Sequence, residues 1–486
     1  MSTQAATIYG LAVLSLAGGV PVAASVGARW YAVPLCPLAG AVVAALAANA
    51  SLTFGGSLLA WFVVVAVVTA AIAGAIRMVG RRRPAPGGSP AEPGAARFRW
   101  RLVGVAGFVG VAAACAWSLR GLKTPTVGFD ARSLWLMRPG WFLQGHAQLL
   151  IDLKIRELVL SQSAYPPLVS AAVAVVWRVT GVHSVRLGVT TMAVLNACAL
   201  AAAALAVVEC GRVAARRVAS GGGRPDERLP WAPMVTGVAA GVLLVFVAAG
   251  ITEPFLTNGY ADPIWSLAAV GAVAFGLQNA PGRSTSAAAV VLVLVAGLSK
   301  NEGLLTACAL VALLAFRSVG REGLRLSTPE GRRRWIAPVA LAAAELAVLA
   351  WWPLLMHAVG ARGASTPFTL SGQVASRTSA VAHGMSPYLH ILVLALPMAV
   401  VGGLVLGRIR RRDGIGHDLW AWLALGVGLV AVGGALVTGQ GAILPWIRTT
   451  VHRITEYPAL EGWWIVAVWA VVAASGLFRP SVDVPA

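Results

Sequence analysis
Charge is what this sequence has least of. Only 12% of its 486 residues are Asp, Glu, Lys or Arg, against 58% hydrophobic, a balance that excludes the soluble domains, about three, that its length would otherwise suggest. Lysine is almost missing, with Lys123, Lys154 and Lys300 the whole set. The five cysteines lie in or at the ends of apolar segments and share no metal-ligand spacing, so no disulfide framework is implied. There is no phosphate-binding glycine loop and no soluble nucleotide-binding domain. The first ten residues, MSTQAATIYG, lack the basic region of a signal peptide, so the first apolar segment is expected to be retained.

What is present is a series of apolar segments: 8–24, 32–48, 58–76, 102–117, 187–208, 235–249, 263–277, 287–298, 304–316, 336–356, 389–406, 419–437 and 463–477. The expected fold is therefore all-α, a polytopic membrane protein of about 13 transmembrane helices. Several segments fall short of the ~20 residues that span a bilayer and need flanking residues, thinning or partial insertion. The net charge of +20 comes from arginines clustered between apolar runs, which marks cytoplasmic loops rather than a nucleic-acid partner. Those clusters are Arg77–Arg101, Arg212–Arg228, Arg317–Arg334 and Arg408–Arg412. For all four to face the same way, residues 168–179 must be a re-entrant or interfacial helix in a long first outer loop. The loops with Asp130, Asp262, Lys300 and Arg453 then face outward. Residues 1–101 read as a three-helix membrane segment with a basic linker, 102–316 as a catalytic membrane module, and 317–486 as C-terminal membrane helices with outer loops.

The long outer stretch from Leu122 to Leu168 interrupts the apolar pattern with acids, aromatics and two of the lysines. Asp130, in GFDARSLW, is placed to take a proton from a nucleophile, or else to cap the helix ARSLWLM. Asp262 precedes Pro263, which suits a helix start, so it too is an acid at a bundle mouth or a cap. Trp135, Tyr165, Tyr260 and Trp265 line a sugar or form an aromatic belt. SKNEG, residues 299–303, puts Lys300 and Glu302 between two short apolar runs: either broken helices lining a polar cavity or a pair that neutralises itself. His452 and Arg453, in TTVHRITEYP, are outward cations that meet an anion, whether a bound phosphate or plain lipid headgroups. Glu345 is a lone acid within its helix, with no role assigned.

The order GFDARSLW, AYPPL, GYADP, LSKNEG resembles polytopic glycosyltransferases of the GT-C superfamily, the group with protein O-mannosyltransferases and lipid A aminoarabinose transferases. The match spans Leu102 to about Phe316. The resemblance implies that Asp130 is the catalytic acid of the first outer loop, that Tyr165-Pro166-Pro167 begins a membrane-associated helix, and that Asp262 is a second functional acid. It places Lys300 where such enzymes carry a Lys followed by Gly, although Asn301 and Glu302 intervene here. TTVHRITEYP is similar to a late loop whose arginine meets the donor phosphate. Ala131 stands where many relatives have a second acid, so a divalent metal is left open. The implied reaction moves a sugar from a polyprenyl-phosphate donor to a glycan, lipid or protein acceptor at the outer face of a bacterial plasma membrane, with inversion and without a nucleotide sugar. A transporter or flippase of a lipid-linked sugar, and an inactive scaffold of the glycosylation machinery, are the alternatives.

Overall fold
A computed structural model describes residues 1–81, 94–123, 126–155, 164–220, 231–279, 282–323, 327–361, 374–393, 397, 417–438 and 451–477. Helices account for almost all of these, and no strand occurs among them. In chain order they are α1 (Thr3–Ser25), α2 (Ala32–Phe54), α3 (Leu58–Arg81), α4 (Gly94–Ser118), the short α5 (Arg138–Leu143) and α6 (His146–Asp152), and α7 (Leu168–Thr180). There follow α8 (Val185–Ser220), α9 (Trp231–Thr252), α10 (Asp262–Val273), α11 (Arg283–Ser299), α12 (Asn301–Gly323), α13 (Pro329–Ala358), α14 (Val374–Met385), the helix His417–Thr438 and a final helix, Glu456–Leu477.

Among the described residues nine helices are long and apolar enough to cross a bilayer, which makes the chain an integral membrane protein. The expected segments 263–277 and 287–298 fall on shorter helical pieces, 419–437 lies within the helix His417–Thr438, and 389–406 lies largely outside the described residues. The last segment differs in a way that matters. Its span begins at Val451, not Trp463, because the backbone is already helical at Val451–Ile454. Arg453 therefore stands in a helical turn at the head of the final helix rather than in a loop. Hydropathy hides this, since His452, Arg453, Glu456 and Glu461 dilute an otherwise apolar run.

Burial sorts the helices into layers. α2, α8, α10 and α11 are buried along most of their length, whereas α3 leaves Val63, Val67, Ile72 and Ile76 exposed. In a bilayer such faces meet lipid, so no protein partner is needed to cover them. The central helices approach closely through glycine. A Cβ on Gly40 would lie 2.0 Å from the Leu14 carbonyl oxygen, and one on Gly18 2.1 Å from that of Cys36, so α1 and α2 touch backbone to backbone.

α7 is only 13 residues long and is buried from Leu168 to Trp177. Its first turn follows Tyr165, whose ring centroid is 6.0 Å from Lys300 Nζ. After it, Gly181 adopts a left-handed φ of +67° and the chain enters α8, whose Val189 lies beside Gly259 of the α9–α10 loop.

Candidate active site
One end of the bundle gathers charged groups from distant parts of the chain. Asp130 comes from the loop after α4, Asp262 from the first turn of α10, Lys300 from the break between α11 and α12, and Arg453 from the head of the final helix. They form a row. Asp130 Oδ2 lies 2.6 Å from Arg453 Nη2, and that same nitrogen lies 2.7 Å from Asp262 Oδ2. Arg453 Nε also donates to Asp262 Oδ2 at 3.2 Å. The other oxygen of Asp262 accepts from Lys300 Nζ at 2.5 Å, and Glu302 Oε1 stands 3.5 Å from the same ammonium. The row runs from open to closed: the Asp130 side chain keeps 19% of its surface and that of Arg453 13%, while Asp262 has none.

Local sequence explains why each side chain arrives. Pro263 at the first turn of α10 suits a helix start and fixes the direction in which Asp262 leaves it. Gly259, at φ +88°, turns the loop before it. Gly128 is the hinge of the other acid. Its N–H donates to the Asn258 carbonyl at 3.1 Å, and a Cβ there would sit 2.0 Å from the Tyr260 ring. The first loop thus lies flat on Tyr260, which delivers Asp130 two residues later. Lys300 is extended between two helices, and Gly303 lets the first turn of α12 close on α11.

The capping alternatives fare differently from their sequence likelihood. Asp130 occupies the N-cap position of the π-helical turn Ala131–Trp135, but its side chain makes no capping bond and turns to Arg453. The Asp262 carboxylate likewise goes to Lys300 and Arg453, and α10 has no side-chain cap bond. Lys300 is closer to Asp262 than to Glu302, so SKNEG is more than a self-neutralising pair.

Aromatic rings wrap the row. The Arg453 guanidinium carbon is 4.4 Å from the Tyr260 ring centroid and 5.8 Å from that of Phe255. His452 packs on Phe255 at 5.1 Å and on Tyr388 at 6.1 Å. Tyr165 stacks on Trp135 at 5.6 Å. Trp135 and Trp265 are fully buried, so neither lines an open sugar-binding surface nor stands in an exposed aromatic belt, the two alternatives the sequence left open. Burial pushes the phenols of Tyr165 and Tyr260 up from the usual range, which keeps both as O–H groups at neutral pH.

Three neighbours were not singled out in the sequence. Glu456 is 1% exposed; Ser266 Oγ donates to its Oε2 at 3.4 Å, and Oε1 has no partner. Ser266 Oγ donates more closely, at 3.0 Å, to the carbonyl of Asp262. Arg138 is fully buried, donates from Nη2 to the Tyr165 carbonyl at 2.7 Å, and leaves Nε and Nη1 unpartnered. Glu456 carried a readable signal, an acid at the start of an apolar run, the criterion that drew attention to SKNEG. Arg138 carried none, being one arginine among many.

The donor set does not suit a divalent ion. Asp130 and Asp262 are turned onto guanidinium and ammonium, Ala131 offers no second carboxylate, and among the described residues no three His, Cys, Asp or Glu side chains group as metal ligands. Compared with known proteins, the chain matches no family model, no curated protein and no solved structure.

Proposed function
We propose that the chain is a membrane glycosyltransferase that moves a sugar from a polyprenyl-phosphate donor to an extracytoplasmic acceptor hydroxyl, with inversion. The reading rests on the row Asp130, Arg453, Asp262, Lys300: a carboxylate at the open end, with two cations fixed behind it by a buried acid. An inverting transfer needs a base on one face of the anomeric carbon and positive charge at the leaving phosphate on the other, and the row holds both kinds of group. Asp130 takes the proton from the acceptor hydroxyl as its oxygen bonds to the anomeric carbon, and the carbon–oxygen bond to the lipid phosphate breaks with its electron pair going to phosphate. Arg453 holds that phosphate by paired hydrogen bonds, and Lys300 adds positive charge as the leaving group becomes more negative.

The resting contact between Asp130 and Arg453 gives this scheme an order of events. A phosphate that binds Arg453 competes with Asp130 for the same nitrogen. Donor binding then frees the carboxylate to face the acceptor. The arginine clusters favour an outward-facing site in a bacterial plasma membrane. A re-entrant or interfacial α7 is supported by its short length and by the chain on either side of it, with Tyr165 before it near Lys300 and Val189, in the second turn of α8, beside Gly259.

One observation favours a second reading, transport of a lipid-linked sugar. Glu461 of the final helix is fully buried with neither oxygen partnered, the kind of intramembrane acid found along proton paths. The deciding experiment is Asp130→Asn in purified protein given a polyprenyl-phosphate sugar and an acceptor. The expected loss of transfer is on the order of 10²–10⁴-fold, with expression and donor binding retained. Turnover close to wild type would remove Asp130 as the base.

A further inference from the structure
Arg138 opens α5, in the same interhelical stretch as Asp130, and the fold encloses it completely. Its Nη2 donates to the Tyr165 carbonyl at 2.7 Å, while Nε and Nη1 have no partner and no carboxylate among the described residues stands within ion-pair reach. Desolvation pulls the guanidinium down to about 9, and no neighbouring charge works against that. The Trp352 ring, 5.6 Å from the guanidinium carbon, offsets part of the cost. One hydrogen bond to a carbonyl does not account for a buried cation, because an apolar side chain of the same volume would fill the place at least as stably. A local cost of this kind points to the site beside it.

We infer that Arg138 is a positioning residue for the transfer proposed above: it clamps the turn that carries Asp130 onto Tyr165, and so fixes the base relative to Lys300. The inference rests on the transferase reading. Asp130 leads into the turn Ala131–Trp135, and Trp135 stacks on the Tyr165 ring with centroids 5.6 Å apart and planes 11° from parallel. Arg138 reaches the carbonyl of the same tyrosine, so the segment that carries the base grips both ring and backbone of Tyr165. That ring centroid in turn stands 6.0 Å from Lys300 Nζ, which makes Tyr165 the spacer between the two ends of the row. Two further bonds hold the joint. Trp352 Nε1 of α13 donates to the Ala164 carbonyl at 3.2 Å, and Ser170 Oγ of α7 to that of Trp135 at 3.4 Å. Stacked rings set a separation, whereas a hydrogen bond to a carbonyl sets direction as well, and that is what Arg138 adds. Arg453 is untouched by any of this, so loss of Arg138 leaves its hold on phosphate in place and spoils the alignment of base and leaving group.

The test compares Arg138→Met and Arg138→Lys with wild type as purified full chains, reading the melting temperature together with kcat and KM for a polyprenyl-phosphate sugar at saturating acceptor. Arg138→Met keeps the volume and removes the charge. It should lower kcat about 10–10²-fold, with the donor KM within about twofold and the melting temperature no lower than that of wild type. Arg138→Lys retains a donor for the Tyr165 carbonyl and, since no paired bonds are made there, should recover most of the lost kcat. A melting temperature that falls together with kcat makes Arg138 a structural pin and overturns the inference. So does wild-type kcat in Arg138→Met, a rise in KM that accounts for the whole loss, or a lysine variant no faster than the methionine one. Asp130→Asn is run alongside. If it loses transfer while Arg138→Met does not, this inference alone falls; if Asp130→Asn itself transfers like wild type, the base assignment falls and takes this inference with it.

Discussion
A carboxylate removed from water as fully as that of Asp262 persists only while cations hold both of its oxygens, because desolvation of an unpaired charge costs more than the fold can supply elsewhere. Removing Lys300 leaves one oxygen bare. Lys300→Met should therefore destabilise the protein by about 3–5 kcal/mol, read as a lower melting temperature in detergent, whereas the double change Asp262→Asn with Lys300→Met should recover most of the loss. A double variant no more stable than the single would mean that the loss does not come from the uncompensated Asp262 carboxylate. Arg453 is predicted to matter through its shape. Its fork joins Asp130 to Asp262 and suits a phosphate, so Arg453→Lys should slow transfer, Arg453→Ala slow it further, and Arg448→Ala, which lies outside the described residues, do less. Kinetics at equal membrane-inserted amounts decide this, and wild-type rates for Arg453→Ala would leave the phosphate to Lys300. Asp130, Asp262 and Lys300 were legible in the sequence because each is a charge set against an apolar background. Their mutual contacts were not, since pairing between residues 191 apart, as for Asp262 and Arg453, leaves no local pattern.

The helices themselves were mostly legible as apolar runs, and the errors lie where polar residues enter a helix for reasons of the site. The final helix is the main case: its first turns carry Arg453 and Glu456, so hydropathy placed its start at Trp463. Glycine contacts were also invisible, because sequence does not tell which glycine meets another backbone. Gly303 is one such point. A Cβ there would lie 2.2 Å from the Ala296 carbonyl oxygen, so Gly303→Ala must push α12 away from α11 and move Lys300 with it. A loss of about 1–3 kcal/mol is expected, together with slower transfer, whereas Gly74→Ala, which meets nothing within 4 Å, should leave both unchanged. Equal melting temperatures for the two variants would show that the helix junction tolerates displacement.

At the scale of the molecule, the path of α7 decides which helix ends share a side of the membrane. Cysteines introduced at Ala164 and Ser184, in a background lacking the five native ones, should both react with an impermeant thiol reagent in intact cells. Labelling of Ala164→Cys alone would make α7 a full crossing and reverse every later helix. The row of charges also has a consequence for biosynthesis. Asp262 and Lys300 lie 38 residues apart and can meet soon after both emerge, but Arg453 belongs to the last helix described. Until that helix inserts, Asp130 and Asp262 lack the contacts that Arg453 gives them. A chain stalled or clipped before it would carry an under-paired charge in the bilayer, so truncated copies are expected to be degraded faster than whole ones in a pulse-chase experiment.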